Sequence, residues 1–105
     1  MANPLRGEVE ITLDGRPHVA RLTLHALAEL EEALEARSLV ALVERFETGA
    51  FSSRDVLAVI VAGLRGGGWE GRAADLARAE IAGGVTGAAR AAAQLLARAF
   101  TPPGQ

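Results

Sequence analysis

The chain has 105 residues, a net charge of −2, 11 arginines and no lysine, and half of its residues are hydrophobic. That length makes one domain, burying roughly two-thirds of its unfolded surface, and the lack of cysteine rules out a disulfide framework or a thiolate metal site. No apolar run reaches the ~20 residues of a membrane span, and the N-terminal MANPLRGEVE lacks the apolar stretch of a secretory signal, so a cytoplasmic protein is expected.

Glu8–Leu13 alternates, with Val9, Ile11 and Leu13 on one face and Glu8, Glu10 and Thr12 on the other. This is the pattern of a half-buried strand. Asp14-Gly15 supplies the two positive-φ positions of a type I′ turn. A hairpin over about residues 7–22 follows, with Leu13 opposite Arg16, Ile11 opposite His18, Val9 opposite Ala20 and Glu8 opposite Arg21. A lone hairpin is marginal in water, so it packs on helices or extends a partner's sheet.

The remainder reads as helices. Thr23 caps a helix over 24–36 with Leu24, Leu27, Leu30 and Leu34 as its apolar stripe and Glu29, Glu31, Glu32 and Glu35 outside. Ser38 either caps a second helix, over 38–48, or sits at a bend in a longer one, with Leu39, Leu42, Val43 and Phe46 inward and Thr48-Gly49 at its end. The third, over 53–65, has no polar side chain from Val56 to Leu64, which marks a buried central helix. Ser52 and Asp55 have capping-box spacing, Phe51 and Val56 that of a hydrophobic staple, and Gly66 is placed for a left-handed stop. Arg65–Gly71 reads as a flexible link. A fourth helix spans 72–82 with Ala73, Leu76, Ala77 and Ile81 inward, and Gly83-Gly84 breaks it. Thr86 caps a fifth over 86–100, and Pro102-Pro103 prevents continuation. The fold class is α+β, mainly α: an N-terminal hairpin packed with a bundle of four to five short helices in a single domain.

Charge is uneven. Residues 1–50 hold nine acids and five arginines; residues 51–105 hold four acids and six arginines. Such polarity suits the orientation of a partner, and solvated helix faces produce it as well. With three Phe, one Trp and no Tyr, the core is thin, and association with a partner or with a second copy is an expected source of stability.

The residues of chemistry are sparse. His25 and Glu29 stand at i, i+4, but a stable zinc site needs three or four ligands, and His18 lies apart near the hairpin turn. Ser52 and Ser53 have no histidine placed to activate them. Gly66-Gly67-Gly68 lacks the Lys-Ser/Thr of a phosphate loop and follows no strand. With an acidic chain and few aromatics, nucleic-acid binding is not indicated. No catalytic residue, cofactor or metal is expected. Trp69, alone in its glycine-rich link, is either a lid over the core or an exposed anchor. Leu95, Leu96 and Phe100 make the heavy end of an alanine-rich helix, suited either to the core or to docking. Trp69, Leu95, Leu96 and Phe100 are therefore the candidate partner-binding residues.

The order RGEVEITLDGRPHVARLTLHALAELEEAL, LVALVERFETGAFSSRDVLAVIVAGLRGGG and AAAQLLARAF resembles the small tail-assembly-chaperone-like proteins of gene transfer agents and related tailed phages, from about Leu5 to Phe100. Leu22–Leu34 and Phe51–Gly68, with Gly63, Leu64 and the Gly66–Gly68 run, carry the likeness most sharply. The resemblance implies a non-enzymatic protein of the tail gene cluster. Its partner would be the long tape-measure protein, kept soluble while tail-tube subunits polymerise around it. Since some members of the family are called tail-tube components, a structural tail-tube or connector subunit is the alternative, adding its hairpin edge to a ring.

Overall fold

The structure, a computed structural model, describes residues 2–34 and 38–100. A 3-10 turn at Pro4–Arg6 leads into strands β1 (Glu8–Leu13) and β2 (Arg16–Arg21), followed by helices α1 (Leu24–Ala33), α2 (Leu39–Thr48), α3 (Ser53–Gly66), α4 (Ala73–Arg78) and α5 (Gly84–Ala99). The hairpin-plus-helices architecture expected from the sequence is the one observed. Residues 35 and 36 of the first expected helix, and the segment 101–105, lie outside the described residues.

The hairpin has the register that alternation and turn chemistry dictate. Glu8 pairs with Arg21, Val9 with Ala20, Ile11 with His18 and Leu13 with Arg16. Asp14 and Gly15 take φ values of 50° and 80°, as a type I′ turn requires. In a two-residue hairpin Leu13 and Arg16 are the hydrogen-bonded pair, so Thr12 and Pro17 fall at a non-bonded one. The N–H that Pro17 lacks would face outward, which is why a proline is tolerated here. The Glu8 carboxylate does not reach Arg21 in any ion pair. It accepts from the Asn3 N–H at 2.8 Å and lies 3.8 Å from Arg6.

Both edges of the two-stranded sheet are covered. On the β1 side, Leu13 and Ile81 form an isolated antiparallel bridge. There the Asp14 N–H donates to the Glu80 carbonyl, the Ala82 N–H to the Thr12 carbonyl and the Glu80 N–H to Asp14 Oδ1. At the other end of β1, Arg98 Nη1 donates to the Glu8 carbonyl at 2.6 Å. On the β2 side, Gly66 and Gly67 pack against the strand so closely that a Cβ on either would strike the Arg21 or Val19 carbonyl oxygen.

That contact corrects the reading of the glycine run as a helix stop and flexible link. Gly66 is the last residue of α3, Gly67 follows at φ −90°, and the left-handed residue is Gly68 at φ 106°. The first two glycines permit a backbone approach that any side chain would prevent.

Helix α3 lies at the centre, against α1, β2, α4 and α5. Its start is the expected capping box. Ser52 Oγ accepts from the Asp55 N–H at 3.1 Å, and Asp55 Oδ2 accepts from the Ser52 N–H at 2.9 Å. Val56, Val59, Ile60, Ala62, Gly63 and Leu64 are buried among the sheet, Leu30 and Ala26 of α1, and Leu95 of α5. Phe51, at the staple position ahead of Val56, packs against the core and stacks on Phe46 of α2 with ring centroids 4.6 Å apart.

Three further expectations change. Leu24 is 87% exposed at the first position of α1, and the buried stripe is Ala26, Leu30 and Leu34. Helix α4 ends at Arg78, with Leu76 as its buried residue and Ala73 and Ala77 exposed, because Glu80–Ala82 leave helical geometry to pair with the hairpin. Helix α5 begins two residues before Thr86, capped by Gly83 at φ 85°.

Candidate functional site

The fold does not bring the candidate partner-binding residues Trp69, Leu95, Leu96 and Phe100 to one surface. Leu95 and Leu96 are 0% and 2% exposed. Leu95 packs over Gly63, whose missing side chain leaves room for it; a Cβ there would lie 2.7 Å from Leu95 Cδ1. As core residues of the folded chain they are not available to a partner. The reason is physical: the alanine face of α5 approaches α3 closely, so its two leucines fill the space between helix and sheet. Phe100 is 47% exposed at the end of α5. Trp69 is half-buried against the core. Its backbone N–H donates to the Leu64 carbonyl at 2.9 Å, and its indole lies over Gly71, where a Cβ would collide with the ring. The side chain is thus folded back beside the end of α3, with His18, His25 and Glu70 lining the shallow surface around it.

A wider concavity lies elsewhere, on the side of α3 turned away from the sheet. A groove of about 620 Å³ is floored by Leu57, Ala58 and Val61, with Glu29, Glu32 and Ala33 of α1 on one side and Arg72 and Ala73 at the start of α4 on the other. Leu57, Ala58 and Val61 are half-buried. An unbroken apolar stretch in the sequence says that a helix is mostly covered; it does not say which side stays open. That missing piece of information hid the groove. The signal that was available is the pair Arg54 and Arg65, which stand in helical step with Leu57, Ala58 and Val61 and mark that face as solvated.

Arg65 organises one end of the groove. Its guanidinium meets the Glu29 carboxylate at 3.3 and 3.4 Å, and its Nη1 donates to the Gly71 carbonyl at 3.1 Å. It thereby ties α1, α3 and the start of α4 together. Glu29 is also 3.7 Å from His25 Nε2, the i, i+4 pair visible in the sequence. Among the described residues no group of three or more His, Cys, Asp or Glu side chains could hold a metal.

A second polar feature braces α2. Arg45 meets Asp55 in a two-pronged contact, Nε to Oδ2 at 3.0 Å and Nη2 to Oδ1 at 2.9 Å. Asp55 is buried. Burial pushes its carboxyl up, but hydrogen bonds from Arg45 and the Ser52 N–H, together with the Arg45 charge, outweigh this and hold it below its ordinary value. The capping role of Asp55 was legible from its spacing; its partner ten residues away, across two helices, was not.

Among the described residues no helix is long and apolar enough to cross a membrane. No curated protein and no solved structure matches the chain. Residues 6–101 match a family model described as phage tail tube protein, GTA-gp10. With nearly its whole length matched, the chain belongs to this family of phage and gene-transfer-agent tail proteins, a class of non-enzymatic tail assembly chaperones.

Proposed function

We propose that this protein binds the tape-measure protein during tail morphogenesis and keeps it soluble in the host cytoplasm until tail-tube subunits enclose it. Family membership supplies the setting. The observation that carries the reading is the open apolar groove along α3, whose shape suits an amphipathic helix laid between α1 and α4. Trp69 and Phe100, the nominated residues that stay at the surface, are proposed as further contacts. Reversible coating of this kind uses apolar burial and surface charge and calls for no cofactor.

The test is co-expression with the tape-measure protein of the same tail gene cluster, followed by pull-down and light-scattering mass. A soluble complex holding many copies of this chain per tape-measure chain is the expected result. Failure of the two to associate would contradict the proposal.

The wording of the family description, tail tube protein, favours a second reading as a structural tail-tube or connector subunit. Addition of the hairpin edge into a ring meets an obstacle in this fold, since Ile81 and Arg98 occupy one edge and Gly66 and Gly67 the other. Retention of the protein in purified particles, in the copy number of a ring, would favour the structural role; its absence from them would favour the chaperone.

A further inference from the structure

The groove has a charge pattern as well as an apolar floor. On α3, Arg54, Leu57, Ala58, Val61 and Arg65 follow one another at helical spacing, so an arginine stands at each end of the floor. The span between the two arginines is about 16 Å, three helical turns. Arg65 is engaged by Glu29 and by the Gly71 carbonyl. Arg54 and Arg72 are exposed, and their side chains form no ion pair among the described residues; the same holds for Glu32 on the opposite wall. With Glu29 and Arg65 offsetting each other, the described residues that line the groove keep one net positive charge, Arg54 and Arg72 against Glu32, in a chain that is acidic as a whole. Arg54 also lies in the first turn of α3. A cation there opposes the helix dipole instead of complementing it, so the fold itself gains nothing from that charge.

We infer that the groove takes an amphipathic helix with an apolar stripe flanked by carboxylates, the stripe resting on Leu57, Ala58 and Val61 and the carboxylates meeting Arg54 and Arg72. This rests on the chaperone reading and specifies the partner segment. A second copy of the chain does not suit the same surface in a two-fold pairing, because each copy would bring a concave groove to a concave groove. A single convex helix fills it.

Two synthetic helical peptides of about 16 residues test the inference, each with the same Leu/Ala stripe, one flanked by Glu and the other by Lys. Their affinities are measured by fluorescence anisotropy for the wild-type protein, for Arg54→Glu/Arg72→Glu and for the neutral Arg54→Ala/Arg72→Ala. Both side chains are exposed, and circular dichroism checks that the variants keep the fold. The Glu-flanked peptide should bind wild type at least about tenfold more tightly than the Lys-flanked one, corresponding to about 1.4 kcal/mol. That preference should vanish in the neutral variant, reverse in the charge-reversed one, and shrink in high salt. Equal binding of both peptides to all three proteins, or no binding by either, would overturn the inference. Pull-down of the tape-measure protein separates this claim from the one beneath it. Capture by wild type and loss by the charge-reversed variant supports both. Equal capture by the two proteins overturns the groove assignment and leaves the chaperone reading standing. Capture by neither overturns the reading and the inference with it.

Discussion

Helices α2 and α5 are attached to the same central helix by opposite means. α5 lays a face of small residues, Ala88, Ala91 and Ala92, together with Leu95 and Leu96, against α3 and the sheet, and all five are buried. The approach is close because Gly63 has no side chain, and the neighbouring contact of α3 with β2 is closer still at Gly66 and Gly67. α2 buries one side chain, Leu42. The rest of its attachment comes from the partly buried Leu39 and Val43, the Arg45–Asp55 pair and the stack of Phe46 on Phe51. Small residues bring backbones together and leave little to loosen. Long side chains hold a helix at arm's length through a few contacts, each of which fails separately. Opening of α2 is therefore expected to cost less than global unfolding.

The largest effect should come from the tight side. In Gly67→Ala the new methyl meets the backbone carbonyl of Val19, which cannot rotate away as a side chain would. A loss of about 3 kcal/mol is expected, with circular dichroism and Trp69 fluorescence falling together in one urea transition. Separate transitions would mean that the α3–β2 contact is not integral to the core.

Leu42→Ala probes the other side. Removing a fully buried leucine costs about 2–4 kcal/mol where the whole fold depends on it. Here the expected result is different in kind: helical signal is lost at low urea while Trp69 fluorescence, reporting the end of α3, stays native. A single coincident transition would show that α2 is as integral as α5.

Asp55→Asn keeps the shape and removes the charge facing Arg45, for an expected loss of about 2 kcal/mol concentrated in α2. Acid should act in the same way. Because the folded Asp55 carboxyl titrates below its ordinary value, its contribution is fully present above the ordinary carboxylate range. It is lost as the pH falls through the folded value. Hydrogen exchange should show α2 losing protection below about pH 4, and Asp55→Asn should abolish that part of the pH dependence. The smallest effect, about 1 kcal/mol or less, is expected for Phe46→Leu, which retains apolar area and removes the ring stack; its urea midpoint should move only slightly.

What was legible in the sequence follows the range of the interactions. Hairpin register was readable because alternation and Asp14-Gly15 are local. Ser38, Ser52 and Thr23 were readable as caps because each cap closes within three residues. The end of α4 was not, since Ile81 is taken by Leu13 from the far end of the fold. Gly66 and Gly67 announced a special backbone, but only the neighbouring strand explains why. Leu95 and Leu96 have the composition of a docking patch, and it is the alanines beside them that bring them into the core. The open face of α3 lay concealed within its own hydrophobicity.

The chain's lack of cysteine makes one measurement direct. Ala58→Cys places a single thiol on the floor of the groove, and Glu10→Cys places one on the exposed face of the hairpin. Thiol-labelling rates are compared for each protein alone and in complex with the tape-measure protein. Binding in the groove predicts that complex formation slows labelling at residue 58 by at least about tenfold and leaves residue 10 nearly unchanged. Protection at residue 10 with residue 58 still reactive would contradict it, and would move the interface from the groove to the hairpin.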